Sequence, residues 1–360
     1  MVPKKDSIIE RNEDLSMETD TQSTTAVEVA GPWYEELSVG QLFDSSPGLT
    51  LTSGHAALHQ AIIGDRLRLA LDADLSASVT KRDGCLAHPS LVTDIAIGQS
   101  TLATQRVVAN LFYRGLIFYR APLIGDTLRS TTEVVALRDT SRRPGRAPTG
   151  LAVLRVRTVD QLDRVVLDFH RCAMLPMRDE TGRPGHADDL DAIPTELPDS
   201  ALRRSTDGWD LGLYRSRVPG THASGLAAGT RYSTASGDTV SGAPELVRLS
   251  LNIASAHTDA SSTTSGKRLV YGGHTIGVAL AQVTRALPNL VTVVAWHSCE
   301  HLAPVFEGDV LRSLVTIESL RPLGGGAGSL VTLRVQTTAD RMGASVSEAV
   351  LDWSLVGVMA

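Results

Sequence analysis

The pattern of apolar and polar positions divides the chain into two halves with the same plan, one helix followed by a run of strands. Between His274 and Leu287, residues Ile276, Leu280, Val283 and Leu287 form one stripe at helical spacing, and Pro288 stops it. Gly277, Ala279 and Ala281 lie among them, small enough for close packing. Ser90–Thr104 predicts the matching helix earlier in the chain. After the second helix, Val291–Ala295, Val310–Ile317, Ser329–Thr337 and Val346–Val356 are β-branched or alternate at the strand period. Ala109–Arg120, Thr127–Ala136, Leu151–Val159 and Val165–Leu175 follow the first in the same way. One long helix before several antiparallel strands predicts an α+β class, with the helix across one face of a curved sheet.

The halves also share words. Ala121-Pro122-Leu123-Ile124-Gly125-Asp126-Thr127-Leu128 returns as Ala303-Pro304-Val305-Phe306-Glu307-Gly308-Asp309-Val310-Leu311. Val166-Leu167-Asp168-Phe169 returns as Val350-Leu351-Asp352-Trp353. The offsets agree, 309 − 126 = 183 and 352 − 168 = 184. This predicts two fused copies of one fold, residues 31–176 and 209–360. A proline- and aspartate-bearing linker at 177–208 joins them, and a polar, disordered tail covers 1–30.

Composition narrows the function. A net charge of −6 disfavours a nucleic-acid surface. No apolar run is long enough to span a membrane, so no membrane partner is expected. Three scattered cysteines, Cys85, Cys172 and Cys299, do not form a disulfide framework and fit a reducing, cytoplasmic setting.

The repeated Gly-Asp-x-Leu element, with the helix start Tyr271-Gly272-Gly273-His274, resembles the MaoC-like (hydratase-2, R-specific enoyl-CoA hydratase) family. The likeness is to its double-hotdog branch, which includes mesaconyl-CoA hydratases and mycobacterial double-hotdog proteins. It spans about residues 33–358. It implies a double hotdog, each antiparallel sheet wrapped around a central helix. It also implies an acyl-CoA or acyl-carrier thioester as partner, reversible hydration of a 2-enoyl group, and neither metal nor cofactor beyond coenzyme A within the substrate. A small branched group such as mesaconyl fits the branch. A fused pair is a monomer with an internal pseudo-dimer, or a homodimer of such units.

The family carries Asp-x-x-x-x-His in its active loop, and the two copies differ there. In the first, Asp65 occupies the aspartate position but Ala70 stands where histidine is needed, so this loop is degenerate. In the second, His257 is present and Asn252 replaces the aspartate. Histidine suits proton transfer near neutral pH, whereas asparagine orients a water but cannot act as a carboxylate base. His257 is therefore expected as acid and base, with Asn252 positioning the water. Gly272 and Gly273 place free amides at a helix N-terminus, an oxyanion hole for the thioester oxygen. Tyr271 and His274 flank the pocket. In the first copy the same place reads Ala87-His88-Pro89-Ser90, and Pro89 has no N–H to give.

Other patterns compete. His297, Cys299 and His301 alternate along a predicted strand and would share a face as metal-capable ligands, although the other copy has Gly115, Ile117 and Tyr119 there. Gly324–Gly328 reads as a hairpin turn, and Arg142–Arg146 as a basic hairpin tip that could meet coenzyme A phosphates. Three functions fit the whole: a hydratase or dehydratase, a catalytically weak thioester binder, and a hotdog thioesterase.

Overall fold

The computed structural model describes residues 26–27, 29–142, 144–179, 184–263, 265–323 and 328–360. Most of the expected tail, Arg143 of the basic tip and residues 324–327 of the glycine run lie outside the described residues. Residues 31–360 form a single unit.

The first half opens with β1 (Leu42–Phe43) and β2 (Leu49–Thr50). Helices α1 (Ser53–Ile63), α2 (Arg68–Leu71), α3 (Ala73–Thr80) and α4 (Pro89–Gln99) follow. Its long strands are β3 (Ala109–Phe118), β4 (Thr127–Asp139), β5 (Thr149–Val159) and β6 (Val165–Pro176). Short helices α5 (Asp199–Leu202) and α6 (Leu211–Arg217) lead into the second half. That half repeats the order with β7 (Arg231–Ser233), β8 (Asp238–Thr239), α7 (Ala243–Leu249), α8 (Ser255–Thr258) and α9 (Gly272–Ala286). It closes with β9 (Leu290–His301), β10 (Val310–Pro322), β11 (Ser329–Asp340) and β12 (Glu348–Met359).

The strands make one antiparallel sheet in the order β1-β4-β5-β6-β3-β9-β12-β11-β10-β7, with β2 on β4 and β8 on β10. The halves meet where β3 pairs with β9, Tyr113 opposite Cys299 and Ile117 opposite Ala295. Helices α4 and α9, the two central helices, pack against each other on the inner face of this sheet. Their residues are almost all buried.

The repeated words are repeated bonds. Gly125 and Gly308 both adopt positive φ, 111° and 89°, which glycine tolerates. The following carboxylates close the same turn, Asp126 accepting from the Leu123 amide (2.8 Å) and Asp309 from Phe306 (3.0 Å). Buried Gln99 of α4 donates to the Leu128 carbonyl (3.0 Å), and its counterpart Gln282 of α9 donates to Leu311 (2.9 Å). Each central helix is thereby fixed to its own sheet. On the strands, Arg155 forks onto Asp168 as Arg334 does onto Asp352.

Three differences from the sequence reading have local causes. The first central helix tightens into a 3-10 turn over Ser100–Thr104. There Ser100 and Thr101 hydroxyls donate to carbonyls three residues back. Strand β9 runs beyond Ala295 to His301 because its edges are paired on both sides. Within it a bulge at His297 shifts the register, Ser298 facing Ser354 but Trp296 facing Leu355. The bulge breaks the alternation. Trp296 and Cys299 both face the core, while His297 turns away to bond the Thr195 carbonyl. The expected shared face of His297, Cys299 and His301 does not form, and no group of potential metal ligands gathers among the described residues.

The 177–208 stretch is not bare chain. Leu190 is buried against Phe112, Val153 and Cys172 on the outer face of the sheet, and Leu202 is buried too. No helix among the described residues is long and apolar enough to cross a membrane.

Candidate active site

The two loops singled out by sequence occupy equivalent places. Asp65 Oδ1 accepts from the amide two residues on, Leu67 (2.6 Å), and Asn252 Oδ1 accepts likewise from Ala254 (2.9 Å). Each bond turns the chain into a one-turn helix, α2 or α8. Ala70 and His257 are the third residue of each. Each loop docks on the far end of the other half's central helix. Ile253 donates to Thr101 Oγ1 (3.1 Å) beyond α4, and Arg66 to Thr284 Oγ1 (3.4 Å) of α9. The site is therefore built across the junction of the halves.

His257 Nδ1 bonds the Leu269 carbonyl at 3.0 Å. A carbonyl only accepts, so Nδ1 carries the proton and Nε2 presents a lone pair. Burial lowers the pKa of His257 to about 4, against the Leu269 bond that raises it, and the nearby Arg171 charge lowers it further. The ring is neutral at ordinary pH, the state a base needs. Tyr271 stacks edge-on at 5.7 Å, and His301 of β9, also near pKa 4 through burial, lies beside it.

Gly272 and Gly273 begin α9. A Cβ on Gly272 would fall 2.6 Å from His301 Nε2, and one on Gly273 would overlap the Asp94 carboxylate and the Tyr271 ring. Glycine is required here because side chains from both halves close on the helix start. Tyr271 places no side-chain cap on α9. In the first half the same end is shut. Pro89 lacks an N–H, and the Ser90 amide donates to His88 Nδ1 at 3.1 Å.

His274 is brought in less directly. It is fully buried with neither ring nitrogen bonded, and its electrostatic neighbours are Glu307 and His59 rather than His257. Burial lowers its pKa to about 4.

Asp65, in the loop that lacks the histidine, has a buried partner from elsewhere in its half. His88 Nε2 lies 3.2 Å from Asp65 Oδ1, and both are buried. Burial would raise the Asp65 pKa, but the His88 charge and bond and the Leu67 amide hold it below the usual range. A second buried pair, His59 Nε2 to Asp94 Oδ2 at 3.5 Å, adjoins it, with the imidazoles 5.1 Å apart. A cavity of about 310 Å³ opens beside Asp65, bordered by Arg66, Arg68 and Thr284.

Sequence reasoning passed over Asp94, Tyr113 and Arg171. Tyr113 of β3 meets His301 edge-on at 5.8 Å. Arg171 of β6 stands directly opposite Tyr113 in register and is 3% exposed. One signal for Arg171 was present: an arginine on the inward phase of an apolar strand, where the other copy has Leu355.

No family model matches the chain. The double-hotdog protein Rv0216 of Mycobacterium tuberculosis is 54% identical, over 93% of this chain and 100% of that one, with a TM-score of 0.86. A MaoC domain protein of Chloroflexus aurantiacus has the same fold at 24% identity, TM-score 0.81, covering 93% and 99%. Mesaconyl-CoA hydratase of Cereibacter sphaeroides is 27% identical over 79% of this chain and 82% of its own. Beta-methylmalyl-CoA dehydratase of Chloroflexus aurantiacus is 26% identical over 86% and 88%.

Proposed function

The chain belongs to the MaoC-like double-hotdog family, and from that premise we propose that it is a hydratase or dehydratase of 2-enoyl-CoA and 3-hydroxyacyl-CoA thioesters, working from its second half. One observation carries this reading. Of the two helix starts, the first is closed by Pro89 and His88, while the second keeps its leading amides open beside a neutral histidine.

In hydration, a water bonded to His257 Nε2 gives it a proton as the oxygen adds to C3 of the enoyl group. The electron pair moves through C2 to the thioester oxygen, which the Gly272 and Gly273 amides stabilise as negative charge develops. The imidazolium then returns the proton to C2, so one water is added and His257 is neutral again. Asn252 Oδ1 is engaged by Ala254, which leaves its buried Nδ2, without a partner, to donate to the water oxygen. Coenzyme A enters only as part of the substrate, and a small branched acyl group such as mesaconyl fits the relatives by sequence.

The test is a panel of 2-enoyl-CoAs, mesaconyl-CoA included, assayed by loss of enoyl absorbance. Wild type consumes at least one, and His257→Ala lowers kcat on the order of 10²–10⁴-fold. Turnover unaffected by that change refutes the site. Release of free coenzyme A from saturated esters instead marks a thioesterase, and thermal stabilisation by esters without turnover marks a binder.

A further inference from the structure

We propose that His301 is a further catalytic residue of this site, its Nε2–H joining the Gly272 and Gly273 amides in holding the thioester oxygen. The proposal rests on reading the His257 site as a hydratase and adds a side-chain donor to it.

The first argument is place. After the bulge at His297, Cys299 faces the core, and His301, two residues on, returns to the same face. Its ring closes on the start of α9, with Nε2 2.6 Å and Cε1 2.8 Å from where a Cβ on Gly272 would stand. Tyr113 meets the ring edge-on at 5.8 Å and braces it. His257, Gly272 and His301 are all partly exposed, whereas Tyr271, Gly273 and Asn252 are buried. The way in from solvent therefore reaches the helix start between the two imidazoles.

The second argument is an unused nitrogen. His301 Nε2 is buried and bonds nothing, an expensive state for a polar atom. In the first half the histidine nitrogen at the helix start, His88 Nδ1, accepts the Ser90 amide. His301 Nε2 stands beside Gly272 and accepts no amide, which suits the tautomer with hydrogen on Nε2. That tautomer adds a side-chain N–H to the open backbone N–H groups of the same helix start. Burial, and then the neighbouring His257, lower the His301 pKa to about 4. The ring is neutral at ordinary pH and has no spare proton to give to carbon. It can supply a hydrogen bond to the oxygen as negative charge develops there, and the proton transfers stay with His257.

The third argument is asymmetry. Aligned through Ala121-Pro122 and Ala303-Pro304, His301 falls opposite Tyr119. Tyr119 lies under the Arg204 guanidinium at 5.8 Å, and the helix start of its own half is shut by His88 and Pro89. A histidine stands at this strand position only where the helix amides are open.

The experiment compares His301→Gln and His301→Phe on the 2-enoyl-CoA that wild type hydrates best, with urea midpoints as the check on folding. The first change keeps an N–H near the place of Nε2, and the second keeps the ring without it. His301→Phe should lower kcat on the order of 10²–10³-fold with KM near that of wild type, and His301→Gln should hold kcat within about 10-fold. A role in packing against Tyr113 predicts the reverse order, since phenylalanine is the better match in shape. His301→Asn, whose amide stops short of Nε2, serves if His301→Phe does not fold, and should lose as much. The idea is overturned if kcat survives His301→Phe, if His301→Gln loses as much, or if the loss falls in KM. If wild type hydrates no 2-enoyl-CoA, the hydratase reading fails by itself. The donor is then decided by acetoacetyl-CoA, whose enolate absorbs in the near ultraviolet. More bound enolate on wild type than on His301→Phe sustains it, and equal amounts, or none on wild type, sink it.

Discussion

A histidine with its Nδ1 bonded to a backbone carbonyl and its charge disfavoured by burial is a base over a wide pH range. Because the His257 pKa is lowered to about 4, the ring is neutral above that value and protonated below it. Hydration measured as kcat/KM should stay level from neutral pH down to about 5 and fall as pH drops through about 4. A limb near the ordinary histidine value of about 6.5 would contradict this. Gly273 makes a different prediction at the same scale. Gly273→Ala forces its Cβ into the Asp94 carboxylate and the Tyr271 ring. It should cost about 1–3 kcal/mol by urea denaturation and reduce turnover as the helix start shifts. Among these residues the sequence displayed Asn252, His257 and the two glycines, because a local motif carries them. It could not place Tyr113 or Arg171 at the site, because β6 pairs with β3 and only the pairing of β3 with β9 brings them to the second half.

At the scale of elements, α4 and α9 are built alike and finished differently. Gln99 and Gln282 fix each to its sheet, and Gln99 also accepts from Ser130 and donates to the Pro47 carbonyl. Gln99→Leu strands those buried groups and should lower stability by about 1–3 kcal/mol, read from the denaturation midpoint. The helix starts diverge because His88 caps the Ser90 amide and Tyr271 caps nothing. Tyr271→His, importing the first copy's residue, should cap Gly273 and reduce kcat by about 10²–10³-fold, the usual effect of losing one oxyanion donor. Undiminished kcat in a folded variant would argue that the Gly273 amide holds no oxyanion. The helices and most strands were legible from apolar spacing. The bulge at His297 was not, since it is set by how β9 pairs with β12 rather than by the residues of β9 alone.

For the whole molecule, the sheet is continuous through β3 and β9, so the halves share hydrogen bonds and core. Residues 31–360 should therefore melt in one calorimetric transition whose van't Hoff and calorimetric enthalpies agree. Two resolved transitions would show that each half folds alone. The buried histidines add an acid dependence. His257, His274 and His301 are each lowered to about 4 by burial, against about 6.5 in the unfolded chain. Between those values the unfolded state binds protons that the folded state refuses. Stability should fall as pH drops from about 6.5 to about 4, and His274→Leu should weaken that slope in urea titrations.

The sequence by itself determined the duplication, the α+β class and the asymmetry of the two candidate loops, because periodicity, turn chemistry and short motifs are properties of neighbouring residues; the hotdog plan came with the family resemblance. It also marked His257 and Asn252 as the surviving loop. Only the tertiary structure decided that Asp65 pairs with His88 and that the first helix start is capped. It alone set Arg171 beside Tyr113, His301 and His257. Those relations depend on the register of β3 against β6 and β9 and on the packing of α4 against α9, which bring together residues separated by most of the chain.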